Sequence, residues 1–318
     1  MKSFRSVAEV PASFGPSVVT IGNFDGVHAG HRAILRRVSE IARERGLAAT
    51  VLTFDPHPAA VLAPDRAPKL LMTIAQRVRA MEAEGVDAAL LLPFSLEFAR
   101  LTPEEFAAGI LRDTLHAQVV LVGEDFRFGH KQAGDIGTLR ELGVRLGFEV
   151  EPVVAVTRRG ERISSSSIRR LVGDGAVSKA CRMLGAPFAL EGPIVRGQGI
   201  GSKQTVPTLN LDPRNEVLPK TGVYVSRVRD LADGRRWNSI TNIGYRPTFD
   251  GTGLTVETFL LSPFDGLTPL EVEVEFLAFV RDERKFESPV ALRAQIIRDA
   301  GVAARLHRRL AGVTQAPV

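Results

Sequence analysis

The feature that most constrains this chain is a change of hydrophobic period partway along it. As far as about Leu184, short apolar runs alternate with stretches of helical period. Beyond Leu184 the helical period vanishes and extended runs follow one another. Alternating strands and helices build a parallel sheet wrapped on both faces, whereas close-spaced strands without helices build an antiparallel sandwich or barrel. The chain has 318 residues, room for two domains of ordinary size.

In the first half, Ser17–Phe24 reads as a strand. His31–Arg45 then places Ile34, Leu35, Val38, Ile41 and Ala42 on one helical stripe. Gly46 stops that helix and Thr50–Phe54 forms the next strand, completing a βαβ unit. Helices at Thr73–Glu84, Pro103–Leu115 and Ile136–Leu146 alternate with extended runs at Ala88–Leu92, Val119–Gly123 and Phe148–Val154. Residues 1–184 are thus expected to form a doubly wound α/β domain. In residues 185–318 the extended runs are Ala189–Val195, Thr208–Leu211, Gly222–Asp230, Trp237–Ile243, Leu254–Leu261 and Leu270–Val280. They predict a small antiparallel barrel, followed by a charged amphipathic helix or helix pair over Pro289–Leu310.

Composition narrows the classes. A single cysteine, Cys181, rules out a disulfide framework and fits a reducing cytoplasm. The N-terminus has no apolar core of a signal peptide, and no apolar run approaches the length that spans a bilayer. The net charge of +5 is a modest surplus, compatible with polyphosphate substrates. Aromatic residues are not interleaved with basic ones, so no base-stacking platform for nucleic acid is evident. The expected localisation is cytoplasmic, with neither membrane nor nucleic acid as partner.

The densest chemical signal is Gly22-Asn23-Phe24-Asp25-Gly26-Val27-His28-Ala29-Gly30-His31, between the first strand and the first helix. Ligands of open parallel sheets bind at the carboxyl ends of strands. Gly22, Gly26 and Gly30 allow close backbone approach. His28 and His31 can face one phosphate at a helix N-terminus, where the dipole favours an anion. The histidine pair alone is equally compatible with capping a turn or holding a metal. Further on, Ser164–Ser167 opens a helix and Arg169 follows one turn later. One hydroxyl suffices for a cap, so four with a cation suggest a second phosphate grip.

In the second half, Gly197-Gln198-Gly199-Ile200-Gly201-Ser202-Lys203 is a glycine-rich loop without the strand–helix frame of a Walker loop. Thr208 and Asn210 offer hard oxygens suited to Mg²⁺, or simply a turn and a strand start. Glu257 lies in a strand whose alternation does not decide between a solvated residue and a general base.

Gly-x-Phe-Asp-Gly-x-His-x-Gly-His with Ser-Ser-Ser-x-Ile-Arg resembles the HxGH nucleotidyltransferase superfamily. Thr53-Phe54-Asp55-Pro56-His57-Pro58 and Gly123-Glu124-Asp125-Phe126-Arg127-Phe128-Gly129 are similar to segments of the bacterial FAD synthetases within it. The rest of the chain, from Pro187 to Arg305, resembles the riboflavin kinase domain that follows in the bifunctional enzymes. The resemblance implies two reactions, riboflavin to FMN in the second domain and FMN to FAD plus pyrophosphate in the first. ATP would serve both, with Mg²⁺ in the second domain, in a monomer or weak homo-oligomer. It implies that His28, His31, Asn23 and Asp25, with Gly22, Phe24, Gly26 and Gly30, line the ATP site. Ser165, Ser166 and Arg169 would hold the terminal phosphates. Phe54, Pro56, Pro58, Asp125 and Phe126 would border the substrates. In the barrel, Thr208 and Asn210 would hold Mg²⁺ and phosphates, and Glu257 would be the base. Gly199, Gly201 and Lys203 would form the nucleotide loop, with Arg281 on the flavin side. Ser166 stands where the family often has Thr, Thr205-Val206 where it has Gly-Phe, and Leu267-Thr268-Pro269 where it has Leu-Tyr-Gly. Two other readings remain, one active domain only, or a flavin- or RNA-binding regulator on the same scaffold.

Overall fold

A computed structural model describes residues 1–154, 157–158, 161–195, 208–248, 251–262 and 267–314. The chain divides into two compact units, Met1–Ser165 and Ser166–Val318.

The first unit is built on six parallel strands in the order β1-β4-β3-β2-β5-β6. They are β1 (Lys2–Phe4), β2 (Ser17–Ile21), β3 (Ala48–Phe54), β4 (Ala88–Leu92), β5 (Ala117–Gly123) and β6 (Glu149–Val153). All five residues of β2 and of β4 are buried, as apolar strands covered on both faces must be. The helices are α1 (Ala29–Arg45), α2 (Pro58–Leu62), α3 (Ile74–Glu82), α4 (Pro103–Phe106) and α5 (Ile136–Leu146). α1 ends at Gly46, whose φ of 67° is the left-handed cap that glycine adopts without strain. α3 opens with a capping box between Thr73 and Gln76. The expected helix Pro103–Leu115 changes character: α4 passes into a π-helical stretch at Ala107–Thr114. β1 was not anticipated, since three residues carry no readable period. Two short strands, β7 (Thr157–Arg158) and β8 (Glu161–Arg162), pair antiparallel.

From β2 the chain builds outward through β3 and β4, then returns to place β5 on β2's other side. The order therefore reverses between β2 and β5. Their carboxyl ends open the crevice in which such sheets bind ligands.

The helix α6 (Ser165–Gly173) spans the division, and α7 (Val177–Leu184) follows within the second unit. The barrel is closed, in the order β10-β13-β12-β11-β14-β9, and every neighbour is antiparallel. Its strands are β9 (Phe188–Val195), β10 (Thr208–Leu211), β11 (Gly222–Asp230), β12 (Arg236–Thr248), β13 (Gly251–Leu260) and β14 (Glu271–Arg281). One continuous helix, α8 (Pro289–Thr314), covers Val223, Val225 and Ile240 through Ala303 and Leu306. On the opposite face of the same strands, the buried hydroxyls of Ser226, Ser239, Thr241 and Thr258 satisfy one another at 2.7–2.9 Å. That mutual bonding removes the penalty of burying them.

Helix α7 belongs to the barrel's packing. Val177, Ala180 and Leu184 are buried, and the Ser178 hydroxyl donates to the Leu277 carbonyl at 2.8 Å. Burying one such aliphatic side chain stabilises by about 1.5–3 kcal/mol. A fragment 185–318 is therefore expected to be less stable than 166–318 by about 3 kcal/mol or more. Urea unfolding of the two fragments measures this, and equal stabilities would refute a packing role for α7.

Candidate functional sites at the sheet crevice and on the barrel

The turn between β2 and α1 is held in a demanding backbone conformation. Phe24 (φ 48°), Gly26 (φ 84°) and Val27 (φ 35°) all lie at positive φ. Two of these are not glycine, so the surroundings must impose the conformation. Phe24 is anchored in a core cluster with Val27, Leu35, Val51, Met81 and Val86. Its ring is therefore an anchor for the turn, and only its backbone is free to meet a ligand. The buried Asp25 carboxylate accepts from the Leu71 amide at 3.0 Å and the Met72 amide at 3.2 Å. Asp25 thus braces the turn against the segment before α3. Its carboxylate is occupied by backbone amides.

His28 is the N-cap of α1 and its Nδ1 accepts from the His31 amide at 3.2 Å. The two imidazoles stack, with centroids 3.7 Å apart and an interplanar angle of 12°. Phe24 tilts against His31 at 5.0 Å. The pair thus shares one position at the start of α1, beside the helix's free N–H groups. Burial, with the neighbouring His28 as a second cause, holds the His31 imidazole well below the usual histidine range. His31 is therefore neutral at physiological pH and presents its ring as a hydrogen-bonding group. Its Nδ1 is buried and has no partner among the described residues.

The serine motif meets this turn directly: the Ser165 hydroxyl donates to the Asp25 carbonyl at 2.9 Å. Two sequence motifs 140 residues apart therefore converge at one place. Ser166 and Arg169 follow in the first turns of α6.

The expected flavin-border residues fall on the carboxyl ends of β3 and β5. Phe54 ends β3, and Phe126 sits in the turn after β5, closed by its amide on the Gly123 carbonyl at 3.0 Å. Pro58 opens α2, capped by His57, whose Nδ1 accepts from the Ala59 amide at 3.1 Å. Pro56 and Asp125 are exposed. Sequence reasoning missed that Phe54 and Phe126 belong to one aromatic series. Phe54 meets Phe94 and Phe98 at 5.5 and 5.8 Å, Phe98 meets Phe106 at 6.2 Å, and Phe106 meets Phe128 at 5.6 Å. Phe128 then stacks on Phe126 at 5.4 Å. Phe94 and Phe98 were the readable omission, half-buried rings just past the end of β4, at the same sheet edge as Phe54.

In the barrel, Asn210 of β10 pairs in register with Glu257 of β13, which pairs on its other side with Asn242 of β12. These three form one row on the face opposite the Thr241 and Thr258 hydroxyls, since strand residues alternate. Thr208 lies two residues along on the same face. Glu257 is only 8 % exposed, which excludes the solvated-strand reading. Asn242 was missed as part of this row, since pairing register is not visible in one sequence. Gly199, Gly201 and Lys203 lie outside the described residues. Arg281 donates from Nε and Nη2 to Asp299 Oδ2 at 3.0 and 2.7 Å, fastening β14 to α8.

The first half matches the family model described as FAD synthetase over residues 10–167, and the second that of riboflavin kinase over 184–307. A bifunctional riboflavin kinase/FMN adenylyltransferase of Escherichia coli K12 is 37% identical over 89% of this chain and 90% of its own length. One from Pseudomonas fluorescens is 38% identical over 91% and 92%. Among solved structures, one described as a macrolide-efflux protein from Streptococcus pneumoniae superposes with a TM-score of 0.83 at 30% identity. It covers 95% of this chain and 98% of that one. No described helix of this chain is long and apolar enough to cross a membrane.

The neutral His31 makes the first unit sensitive to acid. Its imidazole resists protonation when folded, whereas in the unfolded chain it takes a proton below about pH 6.5. The fold's advantage is thus full above that pH and is lost as pH falls towards the depressed folded value. Thermal stability of the first unit is expected to fall from about pH 7.5 to 5.5, and less steeply in His31→Gln. Parallel melting profiles of the two proteins would count against a neutral His31.

Proposed function

The chain belongs to the bacterial bifunctional riboflavin kinase/FMN adenylyltransferase family, and from that premise we propose how its residues divide the two reactions. The enzyme phosphorylates riboflavin with ATP to give FMN and ADP, and adenylylates FMN with a second ATP to give FAD and pyrophosphate.

For the adenylyl step we assign the β2–α1 turn. An FMN phosphate oxygen attacks the α-phosphorus of ATP, the bond from that phosphorus to the bridging oxygen breaks, and pyrophosphate leaves. FMN brings an anionic nucleophile, so this site needs charge stabilisation rather than a strong base. His28 and His31 at the start of α1, with the backbone around Gly22, Asn23, Gly26 and Gly30, meet the ATP phosphates. Ser165, Ser166 and Arg169 hold the phosphates that depart. The observation carrying this assignment is the hydrogen bond from Ser165 to the Asp25 carbonyl, which joins the two motifs. Phe54, Pro56, Pro58, Asp125 and Phe126 border the flavin and nucleotide.

For the kinase step the row Asn210–Glu257–Asn242 carries the assignment. Glu257 accepts the proton of the ribityl hydroxyl as its oxygen bonds to the γ-phosphorus and ADP departs. Thr208 and Asn210 supply neutral oxygen donors. Among the described residues no cluster of three His, Cys, Asp or Glu side chains could hold a metal by itself. Such a donor set fits Mg²⁺ shared with substrate phosphates, which would neutralise charge on the transferring group. Gly199, Gly201 and Lys203 complete the nucleotide loop in this reading. Arg281 reaches the flavin side indirectly, by fixing α8 through Asp299. The catalytic division falls at 184/185, although α7 (Val177–Leu184) packs on the barrel. Activity resides in a cytoplasmic monomer or weak homo-oligomer.

Glu257→Gln preserves size and removes the basic carboxylate. It is expected to lower kinase turnover by about 10²–10⁴-fold and leave adenylylation of supplied FMN intact. Changing His28 and His31 together to Ala is expected to do the reverse, so that FMN accumulates without FAD. Chromatographic separation of the flavins after incubation with riboflavin, MgATP and each variant measures both. Normal kinase turnover in Glu257→Gln, or unimpaired FAD formation in the histidine variant, would overturn the corresponding assignment.

A further inference from the structure

Arg77 on α3 is the largest fully buried side chain among the described residues, at 1 % exposure. Nothing in the two reactions as assigned uses it. Its Nη1 donates to the Asn23 carbonyl at 2.9 Å and approaches the Thr53 hydroxyl at 3.5 Å. The Thr53 hydroxyl also donates to the Asn23 carbonyl, at 3.3 Å. Nε and Nη2 are buried and have no partner among the described residues. A guanidinium kept out of water with two of its nitrogens unsatisfied is unfavourable for folding, and an apolar residue of similar size would avoid that penalty. Desolvation lowers its pKa, opposed by the carboxylates of Asp25 and Asp55, the charged groups that face it. Even so, an arginine remains charged.

The place where this charge sits gives it a use. The Asn23 carbonyl begins the turn in which Phe24 and Val27 are forced to positive φ. Two donors on that single oxygen fix the peptide from below, and the cation lies in a low-dielectric interior, where its field reaches further than in water. We propose that Arg77 is the positioning residue of the adenylyl site, clamping the Asn23 peptide and setting a fixed positive potential beneath the ATP phosphates. This rests on the assignment of the β2–α1 turn to ATP and extends it to a residue that does not touch substrate. Because the clamp acts on the ATP turn and not on the aromatic series, its loss should weaken ATP recognition selectively.

The test uses the full chain with Arg77→Gln and Arg77→Lys. Adenylylation is assayed with supplied FMN, inorganic tripolyphosphate serves as a competitive probe of the phosphate site, and kinase activity is the internal control. In Arg77→Gln, KM for ATP and the inhibition constant of tripolyphosphate are expected to rise by up to about a hundredfold, with KM for FMN and kinase activity unchanged. Arg77→Lys, which keeps the charge and one donor, should restore most of the loss. Unchanged ATP and tripolyphosphate constants in Arg77→Gln would overturn the proposal. So would equal losses towards ATP and FMN that lysine fails to restore, the pattern of a merely structural residue. Should Arg77→Gln fail to fold, Arg77→Lys decides alone. A few-fold rise in KM for ATP with KM for FMN unmoved supports the clamp, and any other split refutes it. The His28/His31 double Ala variant, run beside these, separates failure of the turn's assignment from failure of the clamp.

Discussion

The hydrogen bonds of Asp25 hold the N-terminal site together. Its carboxylate takes the amides of Leu71 and Met72, while its own carbonyl takes the Ser165 hydroxyl. One residue thereby joins the turn after β2, the segment leading into α3 and the start of α6. Charged acceptors make the stronger hydrogen bonds, and here they are sheltered from water. The positive φ values of Phe24 and Val27 persist because these surroundings leave the backbone no easier path. The stacked imidazoles of His28 and His31 follow from the same turn, which delivers the chain to the first turn of α1 in one orientation.

The barrel arrives at its site by a different route. There the pairing register does the positioning, setting Asn210, Glu257 and Asn242 abreast on neighbouring strands. Side chains on rigid strands need no brace of the kind Asp25 provides. They need only that the alternation be right, and a slip of one residue would turn Glu257 to the hydroxyl-lined face. The two units therefore show two ways of fixing a side chain in place, a strained loop held by many bonds and a regular strand held by its neighbours.

The two architectures were legible because a period of 3.6 and a period of 2 leave different marks over many residues. Gly46, Thr73 and the alternation of β11 all acted locally, and local signals survive in a single sequence. The three residues of β1 carry no such period, and α7 carries one, at Val177, Ala180 and Leu184, over only eight residues, so both escaped. The site residues were legible as a set and less so one by one. Asp25 stands among glycines and histidines, and the partners of its carboxylate, Leu71 and Met72, lie 46 and 47 residues away, where no local signal reaches. Arg77 looked like any polar residue of an amphipathic helix, since burial of its guanidinium depends on the Asn23 carbonyl across the fold. Glu257 was ambiguous for the same reason: its burial comes from strands that a period cannot align.

Closure of the barrel bears on the order in which the protein is made. β9 finds its two neighbours in β10 and in β14, so Glu271–Phe276 must meet Phe188–Pro193 before the ring is complete. A chain emerging from the ribosome at its N-terminus exposes everything the first unit requires once Ser165 is out. The second unit must wait until β14 has been synthesised, holding β9 with one edge open throughout. Synthesis thus imposes a sequence on the two halves, the adenylylating unit first and the phosphorylating unit last, which is the reverse of the order in which a riboflavin molecule meets their chemistry.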